Sequence, residues 1–256
     1  MTHKVAALIK RKPGLSKAEF MEYYERSHAP LARRSFPQIV QYRRNFIDLN
    51  GAILGPNATE PDFDSVTEIW YRDRAAYDEM LSTHFMKGVQ EVIEADERNF
   101  LDQTMTRMIK LEEHGAHHKD ADLRPSIGTA PGTGLFKVMA LLTAKPGLPR
   151  HEFMHYYEHH HAPLIRSLFP WIVEYRRNFL DVEGAIVFAN AKLPDFDVIT
   201  ELWFQNRADY DRMLSEHENP EVGNAIARDE ENCFDRSKTR FFAVEEAETP
   251  ASALTT

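Results

Sequence analysis

The chain has 256 residues, 43% hydrophobic and 28% charged, and a formal net charge of −9. That composition is ordinary for a globular protein and lacks the basic stripe that a nucleic-acid backbone requires, so no nucleic-acid partner is expected. The single cysteine, Cys233, rules out an internal disulfide and suits a reducing, cytoplasmic compartment; no stretch approaches the roughly 20 apolar residues of a membrane span, and MTHKVAALIKRK has no signal-peptide pattern.

Along the chain, Val5–Lys10 reads as a strand ended by Pro13-Gly14. Ser16 with Glu19 forms a capping box for a helix carrying Phe20, Tyr23, Tyr24 and Ser27 at helical spacing. This helix is expected to stop before Pro30, because the residue preceding a proline is pushed out of the α region. Gln41–Asp48 alternates as a strand, Asn50-Gly51 opens a loop through Pro56 and Pro61, and Phe63–Tyr71 is a second alternating strand. Helical stretches at Arg74–Leu81 and Lys87–Phe100 precede a closing strand at Gln103–Leu111.

The same pattern then recurs from a strand at Phe136–Leu142 to one at Lys238–Val244. KPGLSKAEFMEYYERSHAPL begins at Lys12 and KPGLPRHEFMHYYEHHHAPL at Lys145; QYRRNF and PDFDSVTEIW recur as EYRRNF and PDFDVITELW. The offset is a constant 133 residues (161 − 28 for His28 and His161), and so long a period is a duplicated domain. The expected boundaries are 1–112 and 135–246 for the two repeats, with a Gly/Pro-rich linker at 113–134 and a flexible tail at 247–256. Each βαββαβ repeat reads as a ferredoxin-like unit, an α+β arrangement with helices on one sheet face. The bare faces are expected to pack sheet to sheet within one chain, giving an intramolecular, pseudo-dimeric α/β barrel that is a monomer or a small homo-oligomer.

The twice-occurring K-x-G-L-x-x-x-E-F-x-x-Y-Y-x-x-x-H-A-P-L segment resembles the EthD family of the dimeric α/β-barrel superfamily, over nearly all of both repeats. The resemblance implies a pocket between sheet and helices, and relatives that act on aromatic polyketides or ring-degradation products. His28 and His161 are the leading candidates for proton transfer, with helix capping as the structural alternative. Tyr24 and Tyr157, or their neighbours Tyr23 and Tyr156, offer a phenol to the pocket. Arg44 and Arg177 clamp an oxyanion or form buried ion pairs with Asp64, Asp197, Glu68 or Glu201 on the adjacent strand. Trp70, Trp203, Phe46 and Phe179 supply an aromatic wall for a planar ring, and His84 and His217 match across the repeats.

His155 and His159 stand one helical turn apart in the second repeat alone, but no H-E-x-x-H accompanies them, and neither a metal nor a cofactor is expected. The function expected is cofactor-independent acid–base catalysis, of cyclase, dehydratase or decarboxylase type, on a small aromatic or polyketide-like compound. A carrier of a hydrophobic ring compound, a cofactor-free oxygenase and a haem protein are the alternatives.

Overall fold

The computed structural model describes residues 2–115 and 135–249. Most of the expected linker and tail therefore lie outside the described residues. The first half contains β1 (His3–Ile9), α1 (Lys17–Tyr23), α2 (Ala29–Ser35), β2 (Ile39–Leu54), β3 (Ser65–Tyr71), α3 (Arg74–His84), α4 (Val89–Glu97) and β4 (Arg107–His114). The second contains β5 (Phe136–Leu142), α5 (Arg150–Tyr156), α6 (Ala162–Leu168), β6 (Glu174–Val187), β7 (Val198–Phe204), α7 (Arg207–Glu218), α8 (Pro220–Glu230) and β8 (Arg240–Thr249).

The eight strands form one closed antiparallel barrel in the order β1-β3-β2-β8-β5-β7-β6-β4. The expected face-to-face packing is thus modified: the halves also join edge to edge, through β2 with β8 and β4 with β6. Closure removes the sheet edges that would otherwise expose unpaired backbone groups. It also explains why β1 is buried along its whole length. Val5, Ala7 and Ile9 pack toward the helices, while Ala6 and Leu8 point into the barrel, the alternation that a strand imposes.

Non-local pairing moves several strand ends. β2 runs through Asn50-Gly51 to Leu54, because Ile53 and Leu54 pair with Phe241 and Arg240 of the other half. The expected loop start is therefore strand, and β6 likewise reaches Val187 opposite Arg107. Gln103–Met105 and Arg236–Lys238 are short 3₁₀ turns, so the closing strands begin later than expected. β8 continues past Glu246 to Thr249, where Ala247 and Thr249 pair with Arg44 and Tyr42.

One end of the barrel interior is charged. Lys4 Nζ reaches Glu68 and Glu113 at 2.5 Å each and Asn178 at 2.6 Å. Its repeat equivalent Lys137 reaches Glu201, Glu246 and Asn45, each at 2.6 Å. Burial alone would lower the Lys4 pKa, but the carboxylates of Glu113, Glu68 and Glu201 raise it, so its ammonium stays charged. Each lysine also lies 3.7 Å from a carboxylate of the other half, Lys4 from Glu201 and Lys137 from Glu68, which makes the cage an internal clasp.

Candidate functional site

The segment expected to end at the histidine is a continuous helix. A π-helical turn, Tyr24–His28 in the first half and Tyr157–His161 in the second, joins α1 to α2 and α5 to α6. The Ala29 N–H donates to the Tyr24 carbonyl and Ala162 to Tyr157, five residues back. The wider turn accommodates Pro30 and Pro163, whose missing N–H and ring would break a regular helix. The capping box from Ser16 to Glu19 is present as read, and Pro149 replaces that serine in the second half.

The π turn aims each histidine at the last helix of its half rather than at a helix terminus, and among the described residues neither donates to a backbone carbonyl. His161 Nδ1 lies 2.7 Å from Asp229 Oδ2 on α8, and His28 Nδ1 lies 2.7 Å from Asp96 Oδ2 on α4. Both imidazoles are buried. The carboxylate's other oxygen accepts from a tyrosine: Tyr156 at 3.2 Å on Asp229, Tyr23 at 3.0 Å on Asp96. Asn232 and Asn99 in turn donate to those phenols. Burial would raise the Asp96 carboxyl, but the hydrogen bond and charge of His28, with Tyr23, hold it below its ordinary value. A carboxylate on Nδ1 fixes the proton there and leaves Nε2 as the basic nitrogen. Tyr23 and Tyr156 thus support the aspartate, and Tyr156 does not line the second-half cavity described below.

Beside this dyad, Tyr175 donates to Tyr157 at 3.0 Å, and Tyr157 lies 2.7 Å from Thr200 Oγ1. Burial raises the pKa of both phenols, so both are protonated at neutral pH. In the first half, Tyr24 meets Tyr42 and Thr67 in the same way, and burial pushes it up to about 12.

In the second half these groups border a cavity of about 300 Å³. His161, Tyr157, Tyr175, Thr200 and His217 supply its polar lining, and Glu230 and Arg236 also border it. Ala140, Ile165, Phe169, Leu202, Met213 and Phe241 are among its apolar walls, and Ile53, Leu54 and Gly55 are contributed by β2 and its end. The volume suits a ligand of one or two rings. A Cβ on Gly55 would meet the Ser237 carbonyl oxygen at 2.4 Å, so a glycine there allows the two backbones to approach.

Other expected residues stand elsewhere. Arg44 and Arg177 do not pair with the adjacent strand; they grip Glu25 and Glu158 of the π turns, Arg177 Nε at 2.9 Å from Glu158. Burial would raise Glu158, but hydrogen bonds from His114 and Arg177 bring it down to about 2. Neither arginine borders the cavity. Trp70 and Trp203 turn into the barrel beneath Lys4 and Lys137, each 4.2 Å from the ring centroid. Phe46 and Phe179 are core residues packed edge-on against Phe20 and Phe153. His84 rests against Phe36 and Phe85. His155 and His159 make a ring contact at 4.4 Å on the exposed helix face, outside the cavity. Cys233 is fully buried in the second core, its thiol raised by burial, which makes it packing rather than a nucleophile.

Asp96 and Asp229 were not singled out from the sequence. Both stand at the repeat offset, and so do Asn99 and Asn232; identity between repeats was the available signal.

The EthD domain matches residues 12–104 and 145–237, more than half of the chain. The chain belongs to the EthD family. No curated protein matches this EthD chain significantly. Among solved structures it is similar to an anthrone oxidase-like protein, with TM-score 0.58 and 11% identity over 96% of this chain and 92% of that one. It is also similar to a protein titled as a monooxygenase from Lactobacillus acidophilus, with TM-score 0.54 and 8% identity over 98% and 96%. A third, titled as a chlorite dismutase, has TM-score 0.50 and 12% identity over 95% and 94%. At such identities the likeness is one of fold, the α/β barrel. Among the described residues, no helix is long and apolar enough to cross a membrane.

Proposed function

We propose that the second half of this EthD chain carries an acid–base active site for a small aromatic or polyketide-like ring compound, with each half read as a ferredoxin-like unit. The observation that supports it is the His161–Asp229 pair at the edge of an apolar cavity, with a basic nitrogen available on the side away from Asp229. A histidine so oriented can take a proton on Nε2 and return it. His161 Nε2 takes a proton from a ring carbon made acidic by a neighbouring carbonyl, and the electron pair moves onto the carbonyl oxygen. Tyr175 donates to Tyr157, whose hydroxyl shares a hydrogen bond with Thr200 Oγ1; in this reading Tyr157 donates to Thr200, and the Thr200 hydroxyl donates to that oxygen. Collapse of the enolate then expels a β-hydroxyl, which leaves as water after taking the proton back from His161. The same proton abstraction serves ring closure, and decarboxylation uses the same enolate stabilisation. Arg44 and Arg177, already neutralised by glutamates, have no direct part in this reading.

A second reading is a cofactor-free oxygenase, in which the deprotonated ring reacts with dioxygen. The fold likeness to proteins titled anthrone oxidase-like and monooxygenase favours it.

The test is deuterium exchange. Phenols and cyclic β-keto compounds that bind the protein are incubated in deuterated buffer with wild type and His161→Gln. Exchange at the acidic carbon should be fast with wild type and near the buffer rate with the variant. Tight binding with no accelerated exchange makes the protein a carrier instead, and a porphyrin absorbance band in the purified protein replaces the reading altogether.

A further inference from the structure

Glu230 and Arg236 border the same cavity as His161, and the acid–base reading gives them no work. Arg236 opens the 3₁₀ turn between α8 and β8. That turn is held from the other half. The Gly55 N–H donates to the Thr239 carbonyl at 2.8 Å, the Asn57 N–H to the Ser237 carbonyl at 2.9 Å, and Asn57 Nδ2 to Ser237 Oγ at 3.1 Å. The backbone that carries Arg236 is therefore fixed, which lowers the ordering cost of any contact its side chain makes with a ligand.

The side chain itself is tied at one point. Arg236 Nε donates to Glu230 Oε2 at 2.8 Å, and among the described residues neither terminal nitrogen has a hydrogen-bond partner. The side chain is 46% exposed, so this fork is open to solvent and to a ligand. In the first half, Glu97 stands for Glu230 and Gln103 for Arg236, at the repeat offset. Gln103 Nε2 donates to Glu97 Oε2 at 2.9 Å and to the Glu94 carbonyl at 3.3 Å, which uses both amide hydrogens. An uncharged glutamine thus suffices to tie this turn to the last helix. The second half keeps the glutamate but places a cation with two unspent donor groups at the border of the cavity. A free guanidinium fork pairs best with a planar, charged, two-oxygen acceptor.

We propose that the ring compound taken by the second-half cavity carries a carboxylate, which the terminal nitrogens of Arg236 bind while Glu230 holds the guanidinium by Nε. Arg236 is then the residue that selects acids over their neutral analogues. The proposal rests on the reading of this cavity as a ring site, but not on proton abstraction by His161.

The probes are naphthoate and its uncharged analogue naphthamide, titrated calorimetrically into the full chain. Wild type should bind the acid at least about tenfold more tightly, the scale of a hydrogen bond to a charged group. Arg236→Gln should reduce the acid to the affinity of the amide and leave the amide unchanged. Lys238→Gln removes an equal charge two residues on, outside the cavity lining, and should keep the preference. Leu54→Trp alters an exposed lining residue, so it obstructs the cavity without disturbing the core, and it should weaken both ligands. Equal binding of acid and amide by wild type would overturn the proposal. So would a preference that survives Arg236→Gln or vanishes in Lys238→Gln, acid binding untouched by Leu54→Trp, or affinity weaker than about 1 mM for the folded wild type. The two readings fail separately. Arg236-dependent binding of the acid without deuterium exchange refutes the acid–base reading alone, and exchange of neutral ring compounds with no preference for the acid refutes this proposal alone.

Discussion

Asp229 Oδ2 sits 2.7 Å from His161 Nδ1, and Asp96 holds His28 at the same distance in the other half. One device therefore occurs twice, yet the cavity bordered by His161 is built around the second copy. His161→Gln should lower turnover by about 10²–10⁴, the range of a lost general base, while His28→Gln should leave it nearly unchanged. Asp229→Asn should fall between wild type and His161→Gln, since it disturbs the orientation of the imidazole but leaves it in place. Stability should drop by about 1–3 kcal/mol in these variants, the scale of a disturbed buried hydrogen bond. Steady-state kinetics and thermal melts on the same preparations separate the two effects; equal turnover loss from His28 and His161 would contradict a single active half.

Removing one member of the interior clasp should cost far more. Lys137 is fully buried among Glu201, Glu246 and Asn45. Lys137→Met removes the nearest cation of these carboxylates, and a broken buried pair typically costs about 3–5 kcal/mol. Adding Glu201→Gln to that variant should recover part of the loss. Urea unfolding of the single and double variants measures both, and an unchanged midpoint for Lys137→Met would refute the clasp.

Alkaline pH should unfold the protein through its tyrosines. Tyr24 is raised to about 12, and Tyr42, Tyr71, Tyr157 and Tyr175 are raised by burial as well. Their folded values exceed the unfolded value of 10.0, so their contribution is complete below that pH and is lost as pH rises through the folded values. Phenolate absorbance should therefore appear in two steps, the later one coinciding with loss of circular dichroism. Tyr157→Phe should shrink only the later step. A single smooth titration in the folded protein would count against this burial.

The halves should not fold alone as monomers. A fragment of residues 1–115 leaves the edges of β2 and β4 unpaired and exposes Ala6, Leu8, Ile109 and Leu111. Light scattering after size exclusion should find dimers or aggregates of this fragment, and a well-behaved monomer would show that closure is dispensable.

Periodicity and repetition made much of this protein legible. The two repeats, the Ser16–Glu19 capping box and the burial of Phe20 and Tyr24 follow from local spacing, because caps and helix faces depend on residues three or four apart. His28 and His161 stood out because both repeats keep them beside a proline. What lay beyond local spacing was which distant groups they would meet. Asp96 and Asp229 stand 68 residues from their histidines, and only the packing of the last helix on the π turn joins them. The same limit explains Trp70 and Trp203: alternation puts each on one face of its strand, but the side on which the barrel closes decides between a ligand wall and the charged interior. It explains Arg44 as well, since its face was readable but its partner Glu25 comes from the π turn packed against β2, a contact with no local signature. Strand ends at Leu54 and Thr249 were set by pairing with the other half, a contact with no local sequence signature.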